Sequence, residues 1–209
     1  VRPYMLFNEQ LFRFEIHRTC DGNYLFLDIH HIVADGTSLG IILNDINRAY
    51  SGEKLEVEEY TSYDLALDNR DALASDAYKN AENYYKSVFE NAGGSINFYP
   101  DKSGAAPTAE MYHRETSEFS VQDVKAFCKK HGITENVFFI SAFGITLGKY
   151  NFRKDAVFTT IYHGRNDSRL SDTVGMLVKT LPVYCDFSGS TADCLNAVQQ
   201  QLINSMNND

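Results

Sequence analysis

His30-His31-Ile32-Val33-Ala34-Asp35-Gly36 is the stretch from which the rest of the chain is read. It follows an apolar run, Tyr24-Leu25-Phe26-Leu27-Asp28-Ile29, and precedes an amphipathic segment that begins at Thr37. A histidine at the end of a buried strand costs burial energy unless its ring nitrogens are satisfied, so packing alone is a poor reason for two of them. Adjacent strand residues point to opposite faces, which keeps His30 and His31 from readily sharing one metal ion. One histidine is expected to be structural and the other functional. Alternation does not choose between them, because the turn can break its phase. Three roles are open to Asp35: helix cap, partner of a buried arginine, or orienter of an imidazole. Gly36 suits a sharp bend or the close approach of a ligand to backbone. A neutral histidine in such a crevice can take a proton from an attacking amine or hydroxyl, a role worth roughly 10²–10⁴ in rate. The competing reading is a pair of core histidines without chemistry.

Working outward, Phe12, Phe14 and Ile16 alternate with Arg13, Glu15 and His17, the period of a half-buried strand. Cys20-Asp21-Gly22-Asn23 has hairpin turn chemistry. The returning strand, Tyr24 to Ile29, is apolar on both faces and is expected inside a sheet. After the turn, Leu39, Ile42, Leu43, Ile46 and Tyr50 recur at helical spacing, with Thr37 or Asp35 as N-cap and Ser51-Gly52 as the stop. A strand end followed by a short turn and a helix is a rigid place from which to aim a side chain into a crevice.

Beyond an acidic connector at 53–59, short and longer helices are predicted over 60–70 and 75–91, stopped at Gly93-Gly94. A Gly/Pro/Ala-rich crossing segment then runs over 95–110. In the second half the pattern predicts a strand from Met111 to Phe119 and a helix capped by Ser120 with Asp123 at capping-box spacing. A helix from Thr134 to Tyr150 has apolar residues on nearly every face, and is expected to be central and buried. Strands are predicted at Asp155–Tyr162 and Val174–Tyr184, and a final amphipathic helix on Leu195, Val198, Leu202 and Met206. Strands and helices in mixed order make this an α+β chain. Its expected division is a lobe over residues 1–94, a linker over 95–110 and a second lobe over 111–209.

The 209 residues are 44% hydrophobic and 22% charged, an ordinary globular composition rather than that of a disordered chain. A net charge of −9 argues against nucleic acid or an anionic membrane as the main partner. No secretory signal is readable and no apolar run is long enough to span a bilayer. Cys20, Cys128, Cys185 and Cys194 form no CxxC pair or metal-finger spacing and read as reduced thiols. A cytoplasmic protein without a metal site is expected. Val1 in place of an initiator Met, and a final helix running to Asp209, point to a piece of a longer polypeptide.

The opening heptapeptide matches the HHxxxDG signature of nonribosomal peptide synthetase condensation domains, shared more loosely with chloramphenicol acetyltransferase-like acyltransferases. Two further stretches fall in the right order. Tyr60-Thr61-Ser62-Tyr63-Asp64-Leu65-Ala66 resembles the family's YxDYA motif, with Ser62 where Asp is usual. Gly164-Arg165, followed by Val174-Gly175-Met176-Leu177-Val178-Lys179-Thr180-Leu181-Pro182, resembles its GR…(V/I)GxFVNTLP stretch, with Lys179 in place of Asn.

The resemblance implies a two-lobe fold of the chloramphenicol acetyltransferase kind, with mixed sheets and a tunnel. It implies amide formation between acyl and aminoacyl groups held as thioesters on the phosphopantetheine arms of upstream and downstream carrier domains. An adenylation domain is expected in the same polypeptide, and no cofactor bound by this chain. His31 would be catalytic, either as a base or by positioning the amine and steadying a charged intermediate. His30, Asp35 and Gly36 would support it, Asp35 through an arginine that the sequence does not identify. Tyr63, Arg165 and Thr180 would line the lobe interface or tunnel. The early and late family motifs are not in the chain, so it resembles the central half of such a domain, truncated at both ends and with weak or no activity alone. Three other readings compete. An epimerisation domain commonly carries Trp after the motif, and this chain has none. A stand-alone acyltransferase should begin at its own Met. A carrier-docking module without catalysis fits poorly with an intact His31, Asp35 and Gly36.

Overall fold

A computed structural model describes residues 2–90, 92, 111, 113 and 115–209, which form two compact units. The first comprises Val1–Ser75 and Ile161–Lys179, the second Asp76–Thr160 and Thr180–Asp209. The segment 161–179 therefore belongs with the HHxxxDG stretch although it lies far along the chain. The expected linker over 95–110 and the stop at Gly93-Gly94 fall outside the described residues.

In the first unit, β1 (Phe12–Arg18) and β2 (Asn23–Ile29) form an antiparallel hairpin, with Phe12 opposite Ile29 and Ile16 opposite Leu25. The register puts Phe12, Phe14, Ile16, Leu25, Leu27 and Ile29 on one face, as alternation requires. Two expectations are corrected here. Among the described residues β2 pairs with β1 alone, so it is not inside a larger sheet. The apolar face is also largely exposed, Ile16 by 72%, while Arg13 on the opposite face is half-buried. Arg13 is held there by Asp28 at 3.0 Å, by Glu9 at 3.2 Å and by the Tyr4 ring, 3.7 Å from its guanidinium carbon.

Helix α1 (Gly36–Tyr50) follows. Its N-cap is Asp35 rather than Thr37, with the carboxylate accepting from the Ser38 N–H at 2.8 Å. Helix α2 (Ser62–Ala72) starts inside the YxDYA-like stretch, where Thr61 and Asp64 form a reciprocal capping box.

The second unit contains α3 (Asp76–Phe89), α4 (Val121–His131), α5 (Glu135–Tyr150) and α6 (Thr191–Asn207). It also holds most of a two-stranded sheet of β3 (Asp155–Tyr162) and β4 (Lys179–Asp186). Val124, Val137, Ile140, Val183 and Val198 are at the centre of its core. Helix α3 belongs here because the Tyr84 hydroxyl donates to the Gln201 carbonyl of α6 at 3.1 Å and lies 3.2 Å from the Ser205 hydroxyl. Cys185 and Cys194 meet in this core with their sulfurs 3.4 Å apart.

Three further expectations change. The strand over 111–119 is not formed at Glu115–Phe119, where the backbone is irregular. Helix α5 is not buried all round: Phe139 is 57% exposed, and Phe143 and Tyr150 are also outward. Its packed face includes Gly144 and Gly148, where a Cβ would fall 2.9 Å from the Cys185 sulfur and 2.3 Å from the Phe187 ring. Close approach to the sheet thus selects the small residues and turns aromatics outward, which a hydrophobicity pattern does not show. Finally, the strand predicted from Val174 begins only at Lys179. The backbone before it is bonded to side chains instead: the N–H groups of Val174, Gly175 and Leu177 donate to the Glu58 carboxylate, the Ser38 hydroxyl and the Asp35 carboxylate. Among the described residues no helix is long and apolar enough to cross a membrane.

Candidate active site

The hairpin delivers the two histidines into a tight turn. The His30 N–H extends the β-ladder to the Leu11 carbonyl at 2.8 Å, and the His30 carbonyl accepts from Val33 N–H at 3.1 Å. His30 Nδ1 accepts from the Ile32 N–H at 3.0 Å, which places the ring proton of the neutral form on Nε2. The half-buried His30 ring packs edge-on against Tyr4, with centroids 5.7 Å apart. Tyr4 is itself anchored by its hydroxyl to the Asp28 carbonyl at 2.7 Å. His30 is thus tied into the unit on one nitrogen and one ring edge. His31, one residue on, is exposed, and among the described residues no group hydrogen-bonds its ring. Alternation left the choice open; the turn separates a tethered imidazole from an accessible one.

Asp35 is the buried anchor of this turn, with no side-chain surface exposed. Its arginine is Arg165, itself 6% exposed, whose Nη2 donates to Oδ1 at 3.2 Å and Oδ2 at 3.4 Å. Burial pushes the Asp35 carboxyl up, but bonds from the Ser38 N–H, the Ser38 hydroxyl, the Leu177 N–H and Arg165 outweigh it. The carboxyl is held below its ordinary range and stays ionised. Arg165 Nη1 donates to the carbonyls of Leu170 and Thr173 at 2.7 Å each. One guanidinium therefore ties the turn to the segment 165–173, using the fixed fork that lysine lacks.

Gly164 makes this geometry possible. Its φ is +67°, and a Cβ there would stand 1.9 Å from the Leu177 carbonyl oxygen, so the position admits glycine alone. Gly36 differs. It is not among the positive-φ glycines, and a Cβ on it would meet nothing within 4 Å. A sharp bend is therefore not its reason.

Of the remaining expected residues, Tyr63 is exposed in the first turn of α2 and Thr180 is exposed in β4. Arg165, expected at a lobe interface or tunnel, is buried within the first unit. Among the described residues no group of three or more His, Cys, Asp or Glu is placed to hold a metal ion. Ser38 and the Leu177 N–H, both bonded to Asp35, escaped the sequence reading. Nothing local to Ser38 signals a partner near Gly175, 137 residues away.

Known proteins share this arrangement of elements. The chain is 29% identical over 187 residues to bacitracin synthase 2 of Bacillus licheniformis, covering 87% of this chain but 7% of that protein. SgcC5 from Streptomyces globisporus superposes with a TM-score of 0.76 at 21% identity, over 95% of this chain and 47% of that one. The first condensation domain of the calcium-dependent antibiotic synthetase, solved with a substrate analogue, gives 0.70 at 18% identity over 95% and 46%. The chain thus spans about half the length of the structures it resembles and a small part of the synthetase. At these identities the structural matches establish the fold, an α+β fold of the chloramphenicol acetyltransferase kind. The family model for the condensation domain matches residues 1–209, and the chain belongs to the condensation domain family.

Proposed function

We propose that this chain contributes the catalytic histidine of a peptide-bond-forming condensation domain in nonribosomal peptide synthesis. The donor is an acyl or peptidyl thioester on the phosphopantetheine arm of one carrier domain, and the acceptor an aminoacyl thioester on the next. The acceptor nitrogen attacks the donor carbonyl carbon, and a C–N bond forms as the carbonyl π pair moves onto oxygen. The intermediate then carries a positive nitrogen and a negative oxygen. His31 takes the proton from that nitrogen, the oxygen's pair re-forms the carbonyl, and the C–S bond breaks. The imidazolium returns its proton to the departing sulfur. The peptide is left on the acceptor arm and the donor arm is a free thiol.

The observation that carries this reading is the accessible His31 imidazole in a turn whose Asp35 is buried and locked by Arg165. A histidine kept only for packing would be half-buried and bonded, as His30 is. His30 and Asp35 are structural in this reading, and the Gly36 N–H faces the reacting carbonyl. Carrier domains on both sides and an adenylation domain in the same polypeptide are the partners, in keeping with the much longer synthase that the chain matches. Because the chain covers 47% of the solved chain it resembles, its own rate is proposed to be far below that of the longer parent.

The test loads donor and acceptor carriers and follows the amide product by mass spectrometry, comparing the parent polypeptide with its H31A variant. A fall of at least about 10²-fold is expected, the lower end for loss of a positioned proton acceptor. Unchanged product formation would leave a docking role and reject the catalytic one.

A further inference from the structure

Ser38 stands two residues after the signature, is fully buried, and has a use for every hydrogen-bonding site it possesses. Its hydroxyl oxygen lies 3.0 Å from the Gly175 N–H and 3.1 Å from Arg165 Nη2, two donors that occupy both of its lone pairs. Its single proton faces two acceptors at 2.8 Å, Asp35 Oδ1 and the Gly175 carbonyl. The Gly175 carbonyl also accepts from the Asp35 N–H at 3.2 Å, and Leu177 N–H donates to Asp35 Oδ2 at 3.1 Å. The backbone at 175–177 is therefore clamped to the turn by two side chains, and Ser38 is the one that holds Gly175 from both its N–H and its carbonyl.

We propose that Ser38 is a positioning residue: its hydroxyl fixes the turn carrying His31 to the backbone at Gly175, and so sets where the His31 imidazole stands. The catalytic consequence rests on His31 acting as proposed above; the mechanical coupling does not. The division of labour among the three side chains follows from their contacts. Asp35 and Arg165 neutralise each other and hold α1 and the 165–173 segment. Removing the Ser38 hydroxyl leaves that ion pair and the Asp35 cap on the residue-38 N–H in place, because the cap uses backbone. What it removes is the acceptor of the buried Gly175 N–H and one of the two donors to the Gly175 carbonyl, leaving Gly175 held to the turn by the Asp35 N–H alone at 3.2 Å. A turn loosened on that side shifts the imidazole it carries, and misplacement of about 1 Å costs on the order of 10² in rate.

The substitution S38A in the full chain tests this by amide hydrogen exchange and by the imidazole resonances of ¹³C-labelled histidine. Gly175 and Leu177 amides should exchange about 10-fold faster or more, a tenfold ratio being about 1.4 kcal/mol of local protection. Val183 and Val198, in the other unit, should keep their rates. The His31 ring resonance should shift while that of His17 stays. In the parent polypeptide, S38A should lower kcat with KM nearly unchanged, and S38C, which fills the volume with a weak hydrogen-bonding group, should not restore it. Unchanged exchange at Gly175 with an unmoved His31 resonance overturns the proposal. So does equal acceleration at Val183 and Val198, which would make Ser38 a contributor to global stability alone. Exchange and resonance are read without substrate, so their outcome is separate from the H31A assay that decides the role of His31.

Discussion

Replacing Arg165 by Met removes the counter-ion of a carboxylate that has no exposed side-chain surface while keeping a side chain of similar length. Three losses follow from the contacts. Asp35 is left as a buried charge, and breaking such a pair from one side costs about 3–5 kcal/mol. The Leu170 and Thr173 carbonyls lose charged donors at 2.7 Å, adding toward the upper end of that range. The Ser38 hydroxyl loses one of its two incoming donors. A domain is typically stable by about 5–15 kcal/mol, so the variant should sit close to the edge of folding. Urea unfolding followed by far-UV circular dichroism reads this, since the chain has no Trp for fluorescence. The companion is D35N, and the double variant should cost at least about 2 kcal/mol less than the sum of the singles, because an unpaired charge no longer exists. The same carboxylate gives a pH signature. Its folded pKa lies below the ordinary value of about 3.9, so its stabilisation is complete above that value. The stabilisation is lost as pH falls below about 4 through the folded pKa, and D35N should flatten this part of the acid profile. A loss in R165M below about 1 kcal/mol, or strict additivity in the double variant, would refute the claim that this pair secures the turn.

Two further outcomes follow. G36A should leave stability unchanged or raise it by up to about 1 kcal/mol, since the added methyl meets nothing and alanine favours helix, yet it should slow carrier-dependent amide formation at least about 10-fold; wild-type turnover would remove Gly36 from the site. Iodoacetamide on the native chain should label Cys20, which is exposed, and spare Cys128, Cys185 and Cys194, with the adjacent Cys194 sulfur and burial pushing the Cys185 thiol up. Mass spectrometry showing Cys185 labelled as fast as Cys20 would contradict its place in the second unit's core.

Much of the local structure was legible in the order of residues alone. The HHxxxDG stretch, its hairpin and the helix after it were readable because each rests on local rules: alternation, turn chemistry and N-terminal caps. Ser120 with Asp123, and Thr134, cap helices where the spacing placed them. The tertiary structure decided what depends on contacts between distant segments. Which residue is Asp35's arginine, why residues 174–178 are not strand, and which histidine is tethered all involve partners brought together by the fold. Arg165 lies 130 residues from Asp35, and a pattern that looks a few residues ahead has no access to that distance. Helix α5 shows the same limit from the other side. Its large apolar residues cover nearly every face and suggested a buried helix, but contact with the sheet is set by how closely backbones approach, and that chose Gly144 and Gly148.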